Sequence, residues 1–217
     1  MRESTYRVHP VNGVNEKEEK LTLELLNAIE GQSDLSQRNL AQHMGIALGL
    51  TNSYLKRCAR KGLVKMSEAP ANRYLYYLTP KGFAEKARLT GHYLADSLTF
   101  YRQAGESCSV IFDYCKVNNK ERVLLCGVSE LAEIALIRAM DTEVSITGIY
   151  DPESSLDQLL TKPVWVDLTA VDAFDICLLT NLSSPYKFYK SLISEVGKDR
   201  ILIPHVLGIK NKSEKVS

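Results

Sequence analysis

The chain has 217 residues, 45% of them apolar and 24% charged, with a formal net charge of +1. That is enough apolar material for one large or two small domains, and no run approaches the roughly 20 apolar residues that a membrane-spanning helix needs. Met1 to Asn15 lacks the apolar core of a signal peptide, and the five cysteines (Cys58, Cys108, Cys115, Cys126, Cys177) contain no C-x-x-C pair to suggest zinc or a disulfide framework. A cytoplasmic location is expected, with the cysteines as small buried hydrophobes. The histidines (His9, His43, His92, His205) show no metal-ligand spacing, so no metal site is expected.

The small net charge hides a strong local asymmetry. Ser36 to Arg88 holds ten Lys/Arg and two Asp/Glu, a surplus of +8, while residues 1–35 sum to −3 and residues 89–217 to −4. A basic block beside acidic neighbours points to a polyanion-binding surface. Glu16 to Glu30 is expected to be a helix with a Leu21, Leu25, Ile29 stripe. Ser36 is a good N-cap for a second helix through Met44, and Gly45 supplies the turn. A third helix runs from Leu48 to Lys61 and stops at Gly62. Leu63, Val64 and Met66 suggest a strand, residues 68–72 a turn, and Arg73 to Leu78 a returning strand. Thr79-Pro80 then caps a further helix.

That order is a winged helix-turn-helix, whose third helix would enter a major groove of double-stranded DNA. Its core face is expected to hold Thr51, Leu55, Cys58 and Ala59. The opposite face offers Leu50, Asn52, Ser53, Lys56, Arg57 and Arg60. Asn can pair with adenine and Arg with guanine. Lys56, Arg60, Ser36 and Gln37 suit phosphates, with Arg38 near the start of its helix. Asn72 and Arg73 in the wing can reach the minor groove or flanking backbone.

Three stretches carry a family resemblance: SQRNLAQHMGIALGL (36–50), LKRCARKGLVK (55–65) and YYLTPKGFAEKARLT (76–90). The segment resembles winged-helix regulators of the MarR type, closest to the subgroup associated with exopolysaccharide gene clusters. The resemblance implies DNA binding as a homodimer. Two positions depart from the pattern: Ala47 stands where a capping Ser or Thr is usual, and Thr51 where an apolar residue is usual.

The helical pattern continues to about Asn118. Leu94, Leu98, Tyr101, Gly105, Cys108, Phe112 and Cys115 form a heptad seam that either pairs two subunits or packs on its own C-terminal domain. Beyond the junction at 117–120, apolar strands (Arg122–Cys126, Val144–Tyr150, Pro163–Val166, Asp175–Thr180, Arg200–Ile203) alternate with helices at Gly127–Met140 and Tyr186–Val196. The pattern predicts a parallel sheet with helices on both faces. The expected fold class is therefore an α+β winged helix followed by an α/β Rossmann-like domain, divided as 16–88, a connecting helix 89–119, and 120–210.

The dinucleotide fingerprint is partial. Gly127 takes its first position and Ala132 its third, but Ser129 replaces the middle glycine. Asp151, 24 residues after Gly127, ends the second strand where a ribose-binding acid belongs. The candidate ligand rim is Gly127, Val128, Ser129, Glu130 and Leu131 with Asp151 and Asn181. On the GVSELAE stretch (127–133) the half resembles small Rossmann-like domains of nucleotide-sugar and CoA-binding proteins. The alternative is a scaffold that binds nothing. No His–Asp or Tyr–Lys arrangement has catalytic spacing, so no enzyme activity is expected. The reading is a sequence-specific transcriptional regulator with a nucleotide or nucleotide-sugar sensing domain and no assigned cofactor. Its rival is an enzyme of nucleotide-sugar metabolism with a winged-helix docking module.

Overall fold

A computed structural model describes residues 13–31, 36–69 and 73–209. They divide near Ser97 into two compact units. The first unit holds α1 (Gly13–Gly31), α2 (Gln37–His43), α3 (Leu48–Arg60), the antiparallel hairpin of β1 (Val64–Ala69) and β2 (Arg73–Leu78), and the start of α4 (Pro80–Val117). Leu25, Leu26 and Ile29 of α1, Leu40 of α2, Leu55 and Cys58 of α3, and Tyr76 of β2 form one core.

Local chemistry sets the joints. The Ser36 hydroxyl oxygen accepts from the Asn39 amide at 3.1 Å, which starts α2. Ala47 opens α3 without a side-chain cap, yet its carbonyl takes a bond from the Thr51 hydroxyl at 3.3 Å. That bond explains how a threonine sits fully buried where an apolar residue is usual. Thr79 does more than cap α4. Its hydroxyl donates to the Gly62 carbonyl at 2.6 Å and accepts from the Gly82 amide at 3.0 Å. At Gly82 a Cβ would overlap the Leu63 carbonyl oxygen, so only glycine lets α4 lie against the end of the α3 turn. The T-P-K-G run is thus a clasp: Lys81 also donates to the Lys61 carbonyl at 2.9 Å.

The second unit is a six-stranded sheet of order β5-β6-β4-β3-β7-β8. Its strands are β3 (Arg122–Cys126), β4 (Ser145–Tyr150), β5 (Gln158–Leu159), β6 (Lys162–Trp165), β7 (Ile176–Leu179) and β8 (Ile201–Leu202), with α5 (Glu130–Ala139) and α6 (Pro185–Val196). All pairings are parallel except β5 with β6. One face packs on α5 and on Ala104, Cys108, Ile111, Phe112 and Cys115 of α4; the other packs on Tyr189 and Leu192 of α6. The result is a three-layer α/β sheet. The short antiparallel β5 escapes the sequence pattern, because two residues carry no periodicity.

The heptad seam splits. Its lower members Cys108, Phe112 and Cys115 are core residues of this unit, and the Arg138 guanidinium lies over Gly105. The alternative of packing on its own C-terminal domain holds for that part. Leu94, Leu98 and Tyr101 remain 57%, 46% and 39% exposed.

Candidate nucleic-acid interface and the sheet rim

Helix α3 buries Thr51, Tyr54, Leu55 and Cys58. Three of these four match the expected core; Tyr54 was missed, and Ala59 is only half-buried. On the outward side Ser53, Lys56 and Arg60 are exposed, with Leu50 at the border. The Ser53 hydroxyl donates back to the Gly49 carbonyl at 3.0 Å, which leaves its oxygen to accept. Lys56 and Arg60 enter no ion pair among the described residues. Arg38, exposed on α2, is likewise without one.

Arg57 is placed differently from the expected reading face. Its guanidinium donates to a Glu18 carboxylate oxygen at 2.9 Å and lies 4.5 Å from the Tyr54 ring centre. The Glu18 hydrogen bond raises its pKa further above an already high value. To touch a base, Arg57 has to leave both partners. Neither Glu18 nor Tyr54 was singled out in the sequence, and no local pattern could link residues 39 apart. Asn52 lies on the other flank, half-buried, with its amide oxygen enclosed and without a hydrogen-bond partner among the described residues. Gln37 is half-buried beside Tyr76, whose hydroxyl burial pushes up in pKa while Gln37 acts the other way. Ser36 is engaged as the α2 cap. Asn72 lies outside the described residues; Arg73 begins β2 opposite Ala69.

The rest of the basic block is sorted by acids. Lys86 pairs with Glu30, and Arg88 with Glu85 at 2.9 Å and Glu19 at 3.1 Å. Lys65 on β1, like Lys56 and Arg60, is exposed and pairs with none. The cations that enter neither an ion pair nor a side-chain hydrogen bond among the described side chains therefore lie on α2, on α3 and the turn after it, and on β1.

In the second unit the candidate ligand residues do converge, but largely on one another. The Asp151 carboxylate accepts from the Val128 amide at 2.8 Å and the Glu153 amide at 3.0 Å. Ser129 caps α5, accepting from the Ala132 amide at 3.4 Å, and donates to the Thr180 carbonyl. Gly127, at φ 111°, has Asn181 backbone atoms 2.5 Å from where a Cβ would stand. Its carbonyl accepts from Thr180 at 2.6 Å. Glu130 is exposed at the start of α5, whereas Leu131 is fully buried in the core. A ribose at Asp151 would have to compete with two backbone amides.

His205 is not isolated: its Nδ1 lies 2.7 Å from the Ser107 hydroxyl oxygen, which also accepts from the Val206 amide at 3.3 Å. Ser107 is fully buried, so this pair anchors the C-terminal turn to α4 rather than presenting a nucleophile. Burial pushes the Cys108 and Cys115 thiols up to about 12 and about 11, far from the reactive thiolate range. Among the described residues no helix is long and apolar enough to cross a membrane, and no group of His, Cys, Asp and Glu could hold a metal ion.

Residues 18–65 match the family described as winged helix-turn-helix DNA-binding. A comparison with curated proteins finds no match. Among solved structures, the PcaV transcriptional regulator from Streptomyces coelicolor overlays with a TM-score of 0.37 at 20% identity, covering 49% of this chain and 90% of its own. A mutant of MepR from S. aureus gives 0.36 at 15%, covering 42% and 76%. Human N-acetylserotonin methyltransferase gives 0.31 at 13%, covering 94% and 81%. At such scores an overlay says nothing about function. The winged helix-turn-helix of the first unit rests on its own elements and on the matched residues.

Proposed function

We propose that this protein is a MarR-like, sequence-specific DNA-binding transcriptional regulator that acts as a homodimer. The observation that carries the reading is the outward face of α3, where Lys56 and Arg60 stand exposed without acid partners beside Ser53. A helix held by its apolar side in a compact core, with cations and hydroxyls outward, suits a major groove. Lys56, Arg60 and Arg38 take phosphates, and Lys65 on β1 extends the cationic surface toward the wing. Leu50 and Ser53 stand at the base edges, and Asn52 joins them only when its enclosed amide turns outward. Arg57 joins them only when released from Glu18.

The exposed Leu94, Leu98 and Tyr101 support pairing of two chains along α4. Two heads then read half-sites one helical turn, roughly 34–36 Å, apart. The division 16–88, 89–119 and 120–210 fits this reading, with the connecting helix shared between the two units.

The second unit is read as Rossmann-like. Counted along the chain, its parallel strands lie in the order 3-2-1-4-5, with Gly127 and Asn181 at the point where the order reverses. That order supports a nucleotide or nucleotide-sugar at the rim, but Asp151 would first have to leave the Val128 amide.

The test is selection of bound sequences from a random duplex pool with the full chain, followed by fluorescence anisotropy on the enriched duplex. An enriched palindrome bound as two chains per duplex is the expected result. Failure to retain any duplex at about 50 mM salt, where cationic readers bind tightly, overturns it.

A further inference from the structure

We propose that the second unit binds a small amphipathic carboxylate, with an apolar body and one anionic head, in a cavity at the N-terminal end of β4. The cavity is about 510 Å³ and is walled by Leu136 and Ile137 of α5, Met140 just after it, Ile146 of β4, and Leu160 and Lys162 of the β5–β6 hairpin. That volume falls within the roughly 300–1,000 Å³ of small-molecule sites, which are mostly apolar with a few placed polar groups. It lies at the opposite end of the strands from Gly127, Asp151 and Asn181, so it is separate from the nucleotide rim.

Lys162 decides the head group. It is half-buried and enters no ion pair or side-chain hydrogen bond among the described residues. A cation held partly out of water without a partner favours an arriving anion. The acid on the same wall, Glu143, is drawn to Lys116 at 2.9 Å. The C-terminal carbonyls of α5 would repel an anion, but that of Ala139 already accepts from the Thr142 amide at 3.0 Å and the Thr142 hydroxyl at 2.9 Å. One cation, with no helix N-terminus facing it, suits a monocarboxylate better than a phosphate.

Two features of the rim suit an apolar body. Met140, Leu160 and Ile137 are exposed around the opening, an arrangement of large apolar side chains that water disfavours. Leu160 also holds a left-handed backbone at φ 53°, as the two-residue β5–β6 turn requires, and its carbonyl accepts from the Gln158 side-chain amide at 2.8 Å. That turn sets the Leu160 side chain in the cavity wall. Met140 supplies an adaptable lip.

The experiment is calorimetric titration of the full chain with decanoate and, in parallel, decanol. Decanoate is expected to bind saturably, one per chain, about tenfold tighter than decanol, as a single charge-assisted contact would give. Lys162→Gln should bring decanoate down to the decanol level and leave decanol unchanged. Ile137→Glu, at a partly exposed position, should abolish both while keeping the wild-type melting curve. The proposal is overturned if neither probe binds saturably. It is equally overturned if Lys162→Gln binds decanoate like wild type, or if Ile137→Glu blocks nothing and instead changes the oligomeric state, which would mark the cavity as a contact between copies of the chain.

Discussion

Replacing both Lys56 and Arg60 by alanine tests the α3 surface directly. Each phosphate neutralised by a cation contributes about 0.9 to the slope of log affinity against log salt. Two side chains per head therefore carry about 1.8, and two heads about 3.6. Between 50 and 200 mM salt, wild type should lose about 150-fold more affinity than the double variant. Both side chains are exposed and neither holds an acid, so the melting curve should not move. The assay is anisotropy of a labelled duplex across a salt series with the full chain. A slope unchanged within about 0.5 refutes the placement of α3 against the phosphate backbone, whatever the absolute affinity.

Three further outcomes follow from single contacts. Gly82→Ala should destabilise the first unit by roughly 1–3 kcal/mol in urea denaturation, since the Leu63 carbonyl fills the Cβ position; no change would mean that the clasp yields freely. Glu18→Gln should cost less than about 1 kcal/mol, because both partners of the Arg57 pair are partly exposed, yet it should steepen the DNA salt slope by up to about 0.9 per head. An unchanged slope would show that stacking on Tyr54 alone keeps Arg57 from the duplex. Asp175 is held below its ordinary value of 3.8 by the Arg122 side chain and then by the Arg122 amide. The stability it adds is present above that value and is lost as pH falls through the lower folded one. Acid titration of Asp175→Asn against wild type should show a gap at neutral pH that closes only in strong acid; a gap that is constant with pH refutes the pairing.

Much of the winged helix was legible in the sequence because its signals are local. The Ser36 cap, the Gly45 and Gly62 stops and the Thr79-Pro80 start each act within a few residues. The parallel strands were legible as apolar runs. What local pattern could not supply was direction. A period of 3.6 puts Arg57 on the border of the polar face, but only the fold brings Glu18 within 2.9 Å of it. The same limit applies at Asp151: its spacing from Gly127 was readable, whereas its use as an acceptor for the Val128 amide was not. The heptad seam reads as one stripe in sequence and serves as core from Cys108 to Cys115 while staying exposed from Leu94 to Tyr101. The two stretches carry the same pattern, and only the packing separates them.

The surplus charge of the basic block overstates what a duplex would meet, and the way it is trimmed is informative. Three acids of α1 (Glu18, Glu19 and Glu30) engage Arg57, Arg88 and Lys86. Lys81 is turned to a backbone carbonyl. Each of these cations lies on α4 or on the α1-facing side of α3. The five that enter neither an ion pair nor a side-chain hydrogen bond among the described side chains, Arg38, Lys56, Arg60, Lys61 and Lys65, are all exposed and lie along α2, α3 with the turn after it, and β1. Acids placed on α1 thus neutralise Arg57, Lys86 and Arg88 and leave the cations of α2, the rest of α3 and β1 without an acid partner. A merely solvated basic helix would give no reason for that division. A surface that must orient one face toward a polyanion does, because a positive potential steers binding only where neighbouring carboxylates do not screen it.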